Sequence, residues 1–108
     1  MAEKPRVKMP NEAKLGEIIV IKTLIAHPME SGLRKDGDGK LIARRILNRF
    51  TCSFEDALVF ACDFEPGVAA NPFVQFPVRV ESDGVYRFAW VDDDGTVLTA
   101  DQPMKILT

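Results

Sequence analysis

Three features of this 108-residue chain predict an all-β fold, an antiparallel sandwich of seven or eight strands. The first is alternation. Within residues 83–100, Tyr86, Phe88 and Trp90 alternate with Val85, Arg87, Ala89 and Val91, the period-two signature of a strand with two different faces. Asp92-Asp93-Asp94-Gly95 then turns the chain, because Asp and Gly tolerate positive φ, and residues 96–100 return as the second arm of a hairpin. The second feature is punctuation: turn signals recur at sandwich-like spacing, and no stretch carries a good helical period. The third is Tyr86 itself, which follows Asp83-Gly84 at the start of a late strand. That is the form of a tyrosine corner, a hallmark of immunoglobulin-like sandwiches. A single immunoglobulin-like domain over residues 1–108 is therefore expected.

Each element follows in order. Arg6-Val7-Lys8-Met9, between Pro5 and Pro10, predicts a short edge strand, since proline cannot donate to a ladder. Residues 11–15 read as a connector. Residues 17–26 predict a strand from their β-branched density. Both of its faces are apolar: Ile19, Ile21 and Ile25 point one way, Ile18, Val20 and Leu24 the other. In a small sandwich one face meets the core, and the other is covered by this chain or by another.

Pro28 ends that strand, and residues 27–40 form a long polar segment. Asp36-Gly37-Asp38-Gly39 is turn chemistry; Asp36-x-Asp38 matches part of a calcium loop but lacks the acidic residue that closes one. A loop this long is either a solvated connection or a docking edge built from His27, Met29, Glu30 and Arg34. Residues 41–54 are extended, with the basic pair Arg44-Arg45 in their first part. Glu55-Asp56-Ala57 turns the chain, and residues 58–64 return. That hairpin sets Phe50, Cys52 and Phe54 against Leu58, Phe60, Cys62 and Phe64 over the core. Cys52 and Cys62 then fall within a residue or two of each other. They form a disulfide if the register allows it, or remain two small buried thiols. Asp63, beside Cys62, raises the cost of a thiolate there.

Residues 65–72, with two prolines, form a loop with room for one helical turn. In residues 73–81, Val74, Phe76, Val78 and Val80 face inward, and Gln75, Pro77, Arg79 and Glu81 outward; Pro77 calls for an edge strand or a bulge. Residues 103–107 add a last short strand, with Met104 and Ile106 on one side.

Composition excludes several functions. A net charge of -2 gives no electrostatic reason to bind nucleic acid or anionic membrane. No apolar run approaches the roughly 20 residues of a membrane span. The N-terminus lacks the apolar core of a signal peptide, which by itself predicts a cytoplasmic protein or one exported by an indirect route. Most zinc, blue-copper and facial-triad sites need two or more His or a Cys cluster, and this chain has one His. A hydrolytic site would have to use His27 with Ser31 or a thiol. No catalytic, metal-binding or cofactor-binding residue is assigned, and no cofactor is expected.

The wording of the chain carries more. Ile21-Lys22-Thr23-Leu24-Ile25-Ala26-His27-Pro28-Met29-Glu30-Ser31-Gly32 resembles the signature of the SoxZ family, subunits of the SoxYZ carrier complex of bacterial sulfur oxidation. Pro5-Arg6-Val7-Lys8, Phe50-Thr51-Cys52, Val59-Phe60-Ala61-Cys62-Asp63, the stretch from Glu65 to Phe73, and Phe88-Ala89-Trp90-Val91-Asp92-Asp93-Asp94-Gly95 resemble the same family in the same order.

The resemblance implies a non-catalytic role. SoxY-type partners carry sulfur covalently on a cysteine in a Gly-rich C-terminal arm. SoxZ-like chains form a heterodimer with that partner and help present the arm to other periplasmic sulfur-oxidation enzymes during thiosulfate oxidation. The sequence Met104-Lys105-Ile106-Leu107-Thr108 carries no Gly-Gly-Cys tail, so this chain is not expected to supply the arm. The family is exported with a signal-bearing partner, which changes the expected location to the periplasm. The resemblance also makes the second apolar face of residues 17–26 a partner interface, at Ile18, Val20 and Leu24 or the opposite set. His27, Met29, Glu30 and Arg34 follow in the adjoining loop, where Arg34 and Lys35 would favour an anionic sulfur adduct. A stand-alone immunoglobulin-like binding module is the competing expectation; it needs exposed aromatics, and here the aromatics alternate into the core.

Overall fold

Eight strands in two packed sheets make up the computed structural model, which describes residues 5–27, 29–65 and 71–107. They are β1 (Arg6–Lys8), β2 (Glu12–Lys14), β3 (Ile18–Leu24), β4 (Leu47–Phe54), β5 (Ala57–Asp63), β6 (Phe73–Arg79), β7 (Gly84–Asp92) and β8 (Val97–Leu107). One sheet runs β1-β3-β6, the other β2-β8-β7-β4-β5. Every neighbouring pair is antiparallel except β2, which runs parallel to β8. The sandwich is thus the expected one with a single parallel addition. Residues 11–15, expected as a connector because Glu-Ala-Lys has no β-branched residue, hold β2 instead, through a buried Ala13 and the Lys105 N–H donating to Asn11 O at 3.0 Å.

The alternations of β6 and β7 fall as expected, with Phe76, Val78, Tyr86, Phe88 and Trp90 buried. Pro77 lies on β6, which is an edge strand. Phe50 of β4 sits at the centre of the core. Its ring centroid lies 5.0 Å from Trp90 in its own sheet and 6.0 Å from Phe76 in the facing one. Phe60 of β5 stacks on Phe76 at 4.3 Å and 4°, joining the two sheets. Offset and tilted aromatic pairs of this kind add about 0.5–1.5 kcal/mol each beyond the area they bury.

Two expectations change, and a choice left open is decided. Leu58 does not share the core face of Phe60 and Cys62. The register steps from Cys52↔Phe60 to Ser53↔Leu58, so Val59 is an extra residue and Leu58 turns outward, 61% exposed. The same register opposes Cys52 to Phe60 and Cys62 to Phe50, so the two cysteines are diagonal neighbours, and both are free thiols. Diagonal positions lie about 7–8 Å apart, beyond the usual Cα span of a disulfide. Tyr86 is buried with its ring 4.6 Å from Phe54, and among the described residues its hydroxyl makes no corner hydrogen bond.

Other turns are as their chemistry requires. Glu55 and Asp56 both take positive φ (46° and 71°), a type I′ pair between β4 and β5. The residues before Leu47 form no strand; the segment folds back as a loose arm through the isolated bridges Glu30↔Arg45 and Lys35↔Leu41. Pro103 does not interrupt β8. Asp92 N–H donates to Thr96 O at 2.9 Å, which places even-numbered β7 residues in the hydrogen-bonded pairs. Pro103 stands opposite Val85, in the other class, where no donor is needed. The Pro28 strand stop and most of the 65–72 loop, with its expected helical turn, lie outside the described residues.

Candidate functional site

The chain leaves β3 through the buried Ile25 and reaches His27, which is itself 7% exposed. His27 N–H donates to Asn71 Oδ1 at 2.9 Å, and Asn71 N–H donates to His27 O at 2.7 Å. The Met29 N–H donates to His27 Nδ1 at 2.9 Å, and the opposite ring nitrogen, Nε2, donates to Asp92 Oδ2 at 2.8 Å. An acceptor at Nδ1 and a donor at Nε2 define the tautomer. Both nitrogens are committed to holding the loop, and neither reaches Ser31, whose hydroxyl accepts from Leu33 N–H at 3.3 Å. His27 is therefore an anchor inside the chain, with both ring nitrogens holding its loop in place.

Met29 completes the turn with φ of 52° and is buried, its sulfur accepting from Leu47 N–H at 3.4 Å. Glu30 and Arg45 then exchange backbone hydrogen bonds of 2.8 and 2.7 Å. Gly32 has φ of 87°, and a Cβ there would lie 3.0 Å from Arg44 Cβ. The string from His27 to Gly32 thus records a tight crossing over residues 44–47, with a glycine where two chains touch.

The acidic turn after β7 receives this crossing. Asp92, 4% exposed, accepts from His27 and from Arg45 Nε at 3.2 Å. Arg45 also pairs with Asp94 at 3.0 Å. Asp93 accepts from Arg44 Nε at 2.8 Å, Ile46 N–H at 3.0 Å and Asn48 Nδ2 at 3.1 Å. Asp92 ends β7 and residues 93–95 make the turn that the acidic run predicts, with Gly95 at φ of 89°. The run's three carboxylates are also the hub that fastens two distant segments, a role that reading it only as a turn misses. The signal was present in three acids beside a buried strand end and two arginines upstream, but their pairing depends on the fold.

Arg44, first, and then Asn48 and Ile46 N–H hold the Asp93 carboxyl down at about 2, against a reference of 3.8. A carboxyl depressed on folding contributes stability above its unfolded value and loses it as pH falls toward the folded one. Asp93→Asn is expected to flatten the acid loss of melting temperature between about pH 4 and pH 2, a comparison thermal scans make directly.

The expected interface residues divide. Ile18, Val20 and Leu24 lie on the outer face of β3, 60, 43 and 38% exposed. Ile19, Ile21 and Ile25 are the core set. Phe73 of β6, 56% exposed, stands opposite Leu24, and Pro77 stands opposite Val20, so apolar pairs span two strands on either side of the polar pair Lys22 and Gln75. His27 and Met29 are buried by this chain and offer little surface, whereas Glu30 and Arg34 lie on the loop, joined at 3.1 Å.

Neither thiol is suited to nucleophilic work. Burial pushes the Cys52 thiol up to about 12, and burial with the Asp63 carboxylate raises that of Cys62. Among the described residues no group of three His, Cys, Asp or Glu side chains is placed to hold a metal ion.

Among solved structures the chain is similar to the superoxide reductase (neelaredoxin) of Ignicoccus hospitalis, at 17% identity and TM-score 0.73, over 96% of this chain and 80% of that one. It is similar to the sulfur carrier protein SoxY of Chlorobium limicola f. thiosulfatophilum, at 13% identity and TM-score 0.68, over 97% and 80%. The CARDB domain of a Pyrococcus furiosus protein aligns at 10% identity and TM-score 0.59, over 98% and 94%. These likenesses establish the immunoglobulin-like sandwich and nothing of the chemistry. No curated protein matches the chain. The family description "Sulphur oxidation protein SoxZ" matches residues 7–103, nearly the whole chain, and the protein belongs to the SoxZ family.

Proposed function

We propose that this chain is a non-catalytic subunit of a sulfur-oxidation carrier complex. It binds a SoxY-type protein as a heterodimer and helps present that partner's covalently bound sulfur intermediates to other enzymes of thiosulfate oxidation. It works in the periplasm, carried there with a signal-bearing partner. Family membership over residues 7–103 supports the class of complex. The observation that carries the binding role is the outer face of β3 and β6, where Ile18, Val20, Leu24 and Phe73 form an apolar set that no other part of the described chain covers. Obligate interfaces resemble a core cut in half, and a lone subunit leaves such a half in water.

Co-expression tests the proposal. A tagged chain and a SoxY-type protein from the same organism are expected to elute as one heterodimer, and the chain alone to self-associate. Separate elution of two stable monomers contradicts it.

A further inference from the structure

The two outer faces of the sandwich handle charge in opposite ways. On the five-stranded sheet, cations stand opposite acids in the cross-strand register. Arg49 faces Asp63 and pairs with it at 2.9 Å, and Arg87 faces Asp101 and pairs at 3.1 Å. On the three-stranded sheet, Lys8 faces Lys22. Like charges directly opposite on one face destabilise a sheet. Arg6 stands opposite Leu24 and Arg79 opposite Ile18, so all four charged residues that β1, β3 and β6 set on this face are positive, with Glu81 following just beyond the end of β6. Among the described residues none of the four has an acidic partner, and the chain as a whole is net negative. Beside the two lysines the surface has an open, shallow hollow of about 420 Å³, lined by Lys8, Met9, Pro10, Val20 and Lys22.

We infer that this face docks a protein surface presenting an apolar side chain flanked by carboxylates, the side chain entering the hollow and the carboxylates meeting Lys8 and Lys22. The inference rests on the carrier-subunit reading and names the chemistry of the partner's contact surface. A sheet that pairs its cations with acids on one face and sets lysine beside lysine on the other keeps an electrostatic cost that a bound acidic partner removes. Rim charges of this kind act mainly on the rate of encounter and on specificity.

Lys22→Glu tests this with two readouts of opposite sign. In the isolated chain the new carboxylate faces Lys8 and replaces a repulsive pair with an attractive one, so the melting temperature is expected to hold or rise. In the complex with the SoxY-type partner the same change is expected to weaken binding about tenfold or more. Wild-type affinity is likewise expected to fall as sodium chloride rises from about 50 to about 500 mM. Thr99→Glu, on the opposite outer face, serves as control and is expected to leave affinity unchanged. Lys22→Gln, which only removes the charge, is expected to give an intermediate loss, and it stands in if the Glu variant fails to fold. A complex that forms but ignores both salt and Lys22→Glu overturns the inference and leaves the proposed function intact. Failure of the wild-type chain to bind the SoxY-type protein at all overturns both.

Discussion

Asp92→Ala is expected to destabilise the chain by about 3 kcal/mol, the scale of breaking a buried, charge-assisted network. Asp92 is nearly inaccessible, and its carboxylate answers His27 Nε2–H at 2.8 Å, Arg45 Nε at 3.2 Å and Asp94 N–H at 3.1 Å. Alanine leaves the His27 donor buried without a partner, and the penalty is the desolvation of that group as well as the lost bonds. Asp92→Asn keeps an acceptor for His27 but not the charge for Arg45, so its cost is expected to be smaller. Chemical denaturation of the two variants beside His27→Ala checks this. In a double-mutant cycle, His27→Ala and Asp92→Ala are expected to be strongly non-additive, because each removes the same contact. Proteolysis is expected to cut Asp92→Ala first within residues 30–45, since that arm is fastened through Glu30, Arg44 and Arg45 to the same turn.

Val20→Asp is expected to weaken binding to a SoxY-type partner by about 100-fold, as truncated or charged hot-spot residues do. Val20 lies mid-strand on the exposed side of β3, opposite Pro77 and beside the hollow near Lys22. A carboxylate there is desolvated on docking with no assigned counterpart across the interface. The isolated fold is expected to lose only about 1 kcal/mol, the span of β-propensity at an exposed site. A titration of affinity with a parallel thermal scan separates the two effects. Equal losses in both would mark Val20 as a structural residue only.

Much of the fold is legible in the residues because its signals are local. Tyr86, Phe88 and Trp90, and Phe76 and Val78, are spaced by two, and burial follows that spacing. Glu55-Asp56 and Asp93-Asp94-Gly95 are turns by their own backbone chemistry. Features that depend on register are not local. A single extra residue at Val59 sends Leu58 outward and leaves Cys52 and Cys62 diagonal, and nothing in the residue types of β5 announces it. The site divides in the same way. The two-faced strand is readable from Ile18 to Ile25, and so is the exposed set. The fate of His27 and Met29 is not, because their burial depends on Asp92 and Leu47, which lie 65 and 18 residues away. The lysine pairing of β1 with β3 is equally invisible before the register is known.

The central claim is that the outer face of β3 meets the carrier partner. Photo-crosslinking tests it most directly, with a benzophenone amino acid placed at position 20 in one preparation and at position 99 in another, each co-expressed with the SoxY-type protein. Irradiation is expected to give a heterodimer-sized adduct from position 20 and none from position 99. An adduct from position 99 alone would contradict the account.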